Sequence, residues 1–196
     1  MSALPHPRIT PEQYLEIERA AETKSEYYDG QMYAMSGGSY THALIIGNLT
    51  AALHGALRTR GCSVVPNDLR VRVAEDGLYT YPDVVVVCAQ PRFADDQKDT
   101  LLNPTLLIEA LSPSTESKDR GFKFAQYRRI ESLREYVLVS QEEARVECFA
   151  RQASGQWLLA EFVGLDAVCH LESVDCDLPL SEIYYRVEMG PKSETA

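Results

Sequence analysis

An α/β domain, built as a mixed β-sheet flanked by helices, is what the sequence predicts, and three stretches carry that prediction. Tyr40 to Arg60 sets Ala43, Ile46, Leu49, Leu53 and Leu57 at helical spacing between a capping Ser39 and Gly61. Val84-Val85-Val86-Val87 is apolar on both faces, which belongs in the middle of a covered sheet. Thr105-Leu106-Leu107-Ile108-Glu109-Ala110-Leu111 reads the same way except for one acid.

The remaining elements follow in chain order. Thr10 reads as an N-cap, with Pro11 at the first helical position and Gln13 closing a capping box, for a short helix to about Ala21. Glu26 to Met35 reads as a hairpin around Asp29-Gly30. Beyond the long helix, strands are expected at Ser63 to Val73, at Tyr81 to Ala89 after a turn at Glu75-Asp76-Gly77, and at Pro104 to Leu111. Ser117 to Ile130 reads as a helix and Glu135 to Val139 as a strand. Arg145 to Ala150 and Trp157 to Phe162 form an antiparallel pair around Gln152-Ala153-Ser154-Gly155, and a last turn of helix starts near Pro179. Residues 1–188 are expected to form one domain and residues 189–196 a disordered tail.

Composition excludes several classes. No apolar run approaches the roughly 20 residues of a membrane helix, and Met1 to Pro11 lacks the apolar stretch of a secretory signal, so a cytoplasmic protein is expected. The five cysteines have scattered spacing with no Cys-x-x-Cys pair, and read as reduced, mostly buried thiols. A net charge of −10 counts against nonspecific nucleic-acid binding, which rests on phosphate neutralisation. The basic residues from Lys118 to Arg129 gather on one segment and partly answer that objection.

The sharpest chemical feature is Asp83 at the start of an apolar strand, together with Glu109 inside another. A carboxylate in a central strand is costly unless a cation meets it. Two on neighbouring strands suit Mg²⁺ or Mn²⁺. The structural alternative has Asp83 capping a turn and Glu109 pairing with a buried Arg or Lys. Asp119, Lys123 and Tyr127 recur at four-residue spacing on one helix face, where Asp119 and Lys123 could equally be a surface pair. His42 begins the long helix and could reach a phosphate or orient a carboxylate, although a lone helical His is usually structural. Ser112-Pro113-Ser114-Thr115 can cap a helix or meet a phosphate. Ser36-Gly37-Gly38-Ser39 reads as a helix-entry loop.

Pro82-Asp83 followed by Glu109 resembles the core of the PD-(D/E)xK nuclease superfamily, except that Leu111 stands where that pattern has a lysine. The wider sequence resembles the Uma2 family of restriction-endonuclease-like domains. The resemblance rests on Glu26 to Gln31, His42 with Asn48-Leu49, Pro82 to Val86, Ile108 to Thr115, Asp119, Lys123, Tyr127 and Glu135 to Val139. It departs at Ser140, where the family usually has Asp. The resemblance implies a restriction-endonuclease-like fold in which Asp83 and Glu109 bind Mg²⁺ (or Mn²⁺). Lys123 replaces the missing strand lysine, Glu26 assists, and His42, Arg120 and Tyr127 contact substrate. The expected activity is hydrolysis of DNA phosphodiester bonds, by a homodimer where a duplex is cut. A catalytically inactive nuclease-fold module, or a hydrolase of small phosphate esters, is the alternative.

Overall fold

The computed structural model describes residues 8–75 and 77–189. The chain runs α1 (Pro11–Ala20), β1 (Ser25–Tyr28), β2 (Gln31–Ala34), α2 (Tyr40–Leu57), β3 (Ser63–Pro66), β4 (Arg70–Arg72), β5 (Tyr79–Thr80), β6 (Val84–Val87), β7 (Thr100–Leu101) and β8 (Leu106–Ala110). Then come α3 (Glu116–Lys118), a π-helical segment (Asp119–Lys123), α4 (Phe124–Tyr127), β9 (Glu135–Val139), β10 (Arg145–Arg151), β11 (Trp157–Val163), β12 (Val168–Leu171), β13 (Cys176–Pro179) and α5 (Leu180–Ile183).

The central sheet has the order β11-β10-β9-β8-β6-β3, with β8 and β9 parallel and the other neighbours antiparallel. Every residue of β6, β8 and β9 is buried, as their unbroken apolar runs require. Alternation divides them between two cores. Val84, Val86, Leu106 and Ile108 face α2, α5 and the β12-β13 pair, while Val85, Val87, Leu107 and Leu111 face Tyr127, Ile130 and the second sheet. That second sheet has the order β2-β1-β5-β4-β7. The mixed sheet flanked by helices is therefore observed, with a smaller sheet added.

Local signals act as read. Thr10 and Gln13 form a reciprocal capping box, and Ser39 accepts from the His42 backbone N–H. Asp29 and Gly30 take φ of 48° and 80°, the paired positive values of a tight hairpin turn.

Four expectations need correction. Ser63 to Val73 is two strands, because Asn67 turns the chain at φ 52° and passes β4 to the second sheet. Tyr81 to Ala89 likewise yields only β6; β5 precedes it and belongs to the other sheet. The helix expected over Ser117 to Ile130 is widened by the π-helical segment and ends at Tyr127. Cys62 and Cys88 are not reduced thiols but a disulfide, since the Ser63↔Val87 pairing sets these flanking residues opposite each other. Cys148, Cys169 and Cys176 are buried thiols as expected. Of the expected tail, Met189 packs against the first core and 190–196 lie outside the described residues, as do residues 1–7 of the N-terminal stretch.

Candidate active site

Asp83 immediately precedes β6. Continuing the Val84↔Ile108 register one step sets it opposite Glu109, on the face shared by Val85 and Leu107. Its Oδ2 accepts from the Ala110 backbone N–H at 2.8 Å. Its Oδ1 lies 3.1 Å from His42 Nε2, which arrives from the first turn of α2 on the other side of the sheet. The Gln141 amide meets His42 Nδ1 at 3.0 Å, and the Ser39 hydroxyl donates to Gln141 Oε1 at 3.1 Å. With Gln141 donating, the ring proton sits on Nε2 and faces Asp83. The hydrogen bond to Asp83 is the main reason that the His42 pKa is raised, against the opposing effect of burial.

Glu109 is 3% exposed. Its Oε1 accepts from Lys123 Nζ at 3.0 Å and from the Tyr127 hydroxyl at 2.8 Å. Lys123 Nζ also lies 3.1 Å from Asp119 Oδ1 and 3.5 Å from Glu26 Oε1. One ammonium thus serves three buried carboxylates. Burial alone would lower the Lys123 pKa, but Glu109, Asp119 and Glu26 outweigh it and hold the group well above its ordinary value. Glu109 is pushed up, to about 8, first by burial and then by Asp83 and Asp119, against the pull of Lys123. Glu26 goes the other way: burial would raise it, yet Lys123, Lys118 and Thr80 leave it lowered.

A raised carboxyl binds its proton more tightly in the folded chain than in the unfolded one. Glu109 therefore contributes stability that is complete below pH of about 4.5 and is lost as pH rises through about 8. Thermal unfolding of the metal-free protein between pH 5 and 8.5 should show this fall, and Glu109→Gln should flatten it. An unchanged slope in the variant would remove the assignment.

The π-helical segment makes this clustering possible. In an α-helix, residues five apart point roughly 140° apart. In the wider turn, closed by the Phe124 N–H to the Asp119 carbonyl, they come nearly into line. Lys118 and Lys123 consequently meet the two oxygens of the same Glu26, Oε2 and Oε1 respectively.

Asp83, Glu109, His42, Asp119, Lys123 and Gln141 line a cleft of about 300 Å³, walled by residues 35–39 and 112–115. Ser112 Oγ is hydrogen-bonded to Ser114 Oγ at 3.0 Å and to Thr115 Oγ1 at 2.9 Å. The hydroxyl-rich loop expected to cap a helix thus lines the cleft, and Thr115 makes no side-chain cap bond.

Three expected site residues lie elsewhere. Glu26 sits behind Lys123 and does not line the cleft. Tyr127 is fully buried with its hydroxyl on Glu109, so it can position that acid but not touch a ligand. Arg120 is ion-paired with Glu116 at 2.6 Å and with Glu147, which neutralises it away from the cleft. Asp119 and Lys123 are both buried, which removes the surface-pair reading. Gln141 was missed by the sequence reading; its signal is its place just beyond β9, at the C-terminal end of a parallel pair, where ligand clefts form. Ser140, the departure from the family pattern, instead accepts from the Glu142 and Glu143 N–H groups and shapes the turn.

Among the described residues, no group of three or more His, Cys, Asp or Glu side chains is arranged to hold a metal ion. Mg²⁺ asks for less, since it binds through one or two carboxylates and keeps several waters. Asp83 and Glu109 supply two hard oxygen donors across one strand pair. The Lys123 and Tyr127 bonds both fall on Glu109 Oε1 rather than Oε2, and each Asp83 oxygen, with one hydrogen bond shown, keeps a lone pair. These residues fit such an ion.

Comparisons with known proteins bear on the family and the fold. The Uma2 profile, described as "Putative restriction endonuclease", matches residues 11–180. Two uncharacterized proteins of Synechocystis sp. are similar. One is 36% identical over 182 residues, covering 92% of this chain and 93% of that protein. The other is 36% identical over 159 residues, covering 81% and 90% respectively. A crystal structure from Anabaena variabilis, described as a "putative nuclease belonging to DUF820", superposes with a TM-score of 0.73 at 18% identity, over 90% of this chain and 97% of that one. At that identity the likeness establishes the fold. With the profile spanning most of its length and relatives aligned nearly end to end, the chain belongs to the Uma2 family.

Proposed function

We propose that this protein is a Mg²⁺-dependent endonuclease (Mn²⁺ serving as well) that hydrolyses DNA phosphodiester bonds in the acidic cleft. The observation that carries the reading is Asp83 facing Glu109 across β6 and β8, with the Lys123 ammonium 3.0 Å from Glu109. When bound, the metal supplies Lewis acidity that polarises a phosphoryl oxygen and makes an adjacent water more acidic. Asp83 and Glu109 hold it. Lys123, protonated in its carboxylate cage, donates hydrogen bonds that orient the attacking water and steady charge on the phosphate. Glu26 holds Lys123 in place and stands outside the cleft. His42 fixes Asp83 from the cleft side, and the Ser112 to Thr115 hydroxyls face the phosphate.

Cleavage of supercoiled plasmid and labelled oligonucleotides at low salt, with Mg²⁺ or Mn²⁺, tests the reading. Metal-dependent cutting supports it; no cutting across substrates and metals sinks it. The non-catalytic module draws on one observation, that both Asp83 oxygens already accept protein hydrogen bonds. The same assay, with metal titration, separates the two.

Gln141 sets the ring position of His42, and through it Asp83. Partners of this kind are typically worth about 10–100-fold in metal affinity. Gln141→Ala should lower Mn²⁺ affinity by that factor in calorimetric titration, and Gln141→Glu should recover much of it by accepting from a protonated His42. Equal affinities in all three proteins would detach Gln141 from the site.

Cutting a duplex needs two such sites, and β11 offers a surface for a second copy. It is an edge strand of the central sheet, with Leu158, Leu159 and Val163 about half exposed. Antiparallel self-pairing about Ala160 sets Glu161 opposite Leu159 and avoids like charges. A cytoplasmic location belongs to the same proposal. Among the described residues no helix is long and apolar enough to cross a membrane, whereas the Cys62–Cys88 bond counts against a fully reduced chain.

A further inference from the structure

A second pocket lies behind the acidic cleft. Its volume is about 330 Å³, and it is lined by Tyr28, Tyr33, Leu78, Phe122, Lys118 and Glu26. Tyr28 and Phe122 meet edge to face at 4.8 Å between ring centres. Lys118 Nζ lies 5.7 Å from the centre of the Tyr33 ring. Tyr33 is 44% exposed on the edge strand β2, too open for a core residue and well placed for a ligand.

Two features tie this pocket to the cleft. Glu26 lines the pocket while its Oε1 sits 3.5 Å from Lys123 Nζ, which lines the cleft, so one ion pair stands between them. The same helical segment presents Lys118 and Phe122 to the pocket but Asp119 and Lys123 to the cleft. The chain leaving Tyr33 likewise passes directly into residues 35–39 of the cleft wall.

Resting on the nuclease reading, we propose that this pocket takes a nucleobase of the strand whose phosphate occupies the cleft. The chemistry matches on two counts. Aromatic faces stack with any base, because every base has a π-face. Lys118 at the rim is paired with Glu26 but 39% exposed in its side chain, so its ammonium can turn a further N–H to the connecting backbone. The pocket would hold a base that has left its duplex partner, or one in a single-stranded substrate, since a stacked and paired base cannot enter it.

The test uses a single-stranded oligonucleotide with one 2-aminopurine, Ca²⁺ replacing Mg²⁺ to prevent cutting, and both fluorescence and anisotropy as readouts. The wild type should bind and quench the probe. Tyr33→Ala and Phe122→Leu should bind about tenfold more weakly and lose the quench, a typical loss for one stacked base, while Tyr33→Phe should behave as wild type. Binding without quench, or equal binding by Tyr33→Ala, overturns the pocket and leaves the nuclease reading standing. No binding by the wild type also overturns the pocket; the nuclease reading falls with it only if plasmid is uncut as well.

Discussion

Lys123→Ala is expected to cost about 3–5 kcal/mol of folding stability at neutral pH, the usual penalty for stripping one partner from a buried ion pair. Lys123 is 8% exposed in its side chain, and Glu109, Asp119 and Glu26 are all within 3.5 Å of its ammonium. Removing it leaves carboxylates with like-charged neighbours and little solvent. For a chain of this size each kcal/mol moves the melting midpoint by roughly 2–4 °C, so a fall of about 6–20 °C should be seen by calorimetry. Adding Asp119→Asn in the same chain should return part of the loss, because it deletes one of the carboxylates left without its ammonium partner. A Lys123→Ala protein that melts with the wild type would mean that the cage is not carrying charge.

Asp83→Asn and Glu109→Gln should each reduce metal-dependent cleavage by roughly 10³-fold or more. Metal assistance is worth several kcal/mol, and each 1.4 kcal/mol or so is a factor of ten in rate. The amides keep the shape. In Glu109→Gln the Lys123 and Tyr127 donors still find an oxygen, so the melting midpoint should stay within a few degrees of the wild type. Rates from single-turnover cleavage, read beside Mn²⁺ titrations, check this. Full cleavage by either variant would move the chemistry away from β6 and β8.

Much of the site was legible because it lies on strands. A period of two and a pair of apolar runs are enough to set Asp83 and Glu109 on one face once β6 and β8 pair. The cap at Thr10, the Asp29-Gly30 turn and the capped α2 were legible for the same reason, since each depends only on near neighbours. The second sheet was not. β5 and β7 are two residues each, and their burial comes from distant partners that no local pattern announces. Tyr127 and Arg120 sit where helical spacing places them, but spacing cannot tell that Tyr127 ends against Glu109 or that Glu147 arrives to neutralise Arg120. Gln141 escaped because an amide after a strand carries no signal until His42 is brought to it from 99 residues away.

The widened turn between Asp119 and Lys123 also decides which length changes the chain can tolerate. Gly121 is exposed there and a side chain on it would meet nothing, so substitution at that point is cheap. Loss of that residue is tolerable as well. A segment one residue shorter would close as an ordinary α-turn with the two lysines four positions apart, roughly 40° round the helix and on one face. Both could then still grip Glu26. Relatives of this protein should therefore vary at this position both in what stands there and in whether anything does.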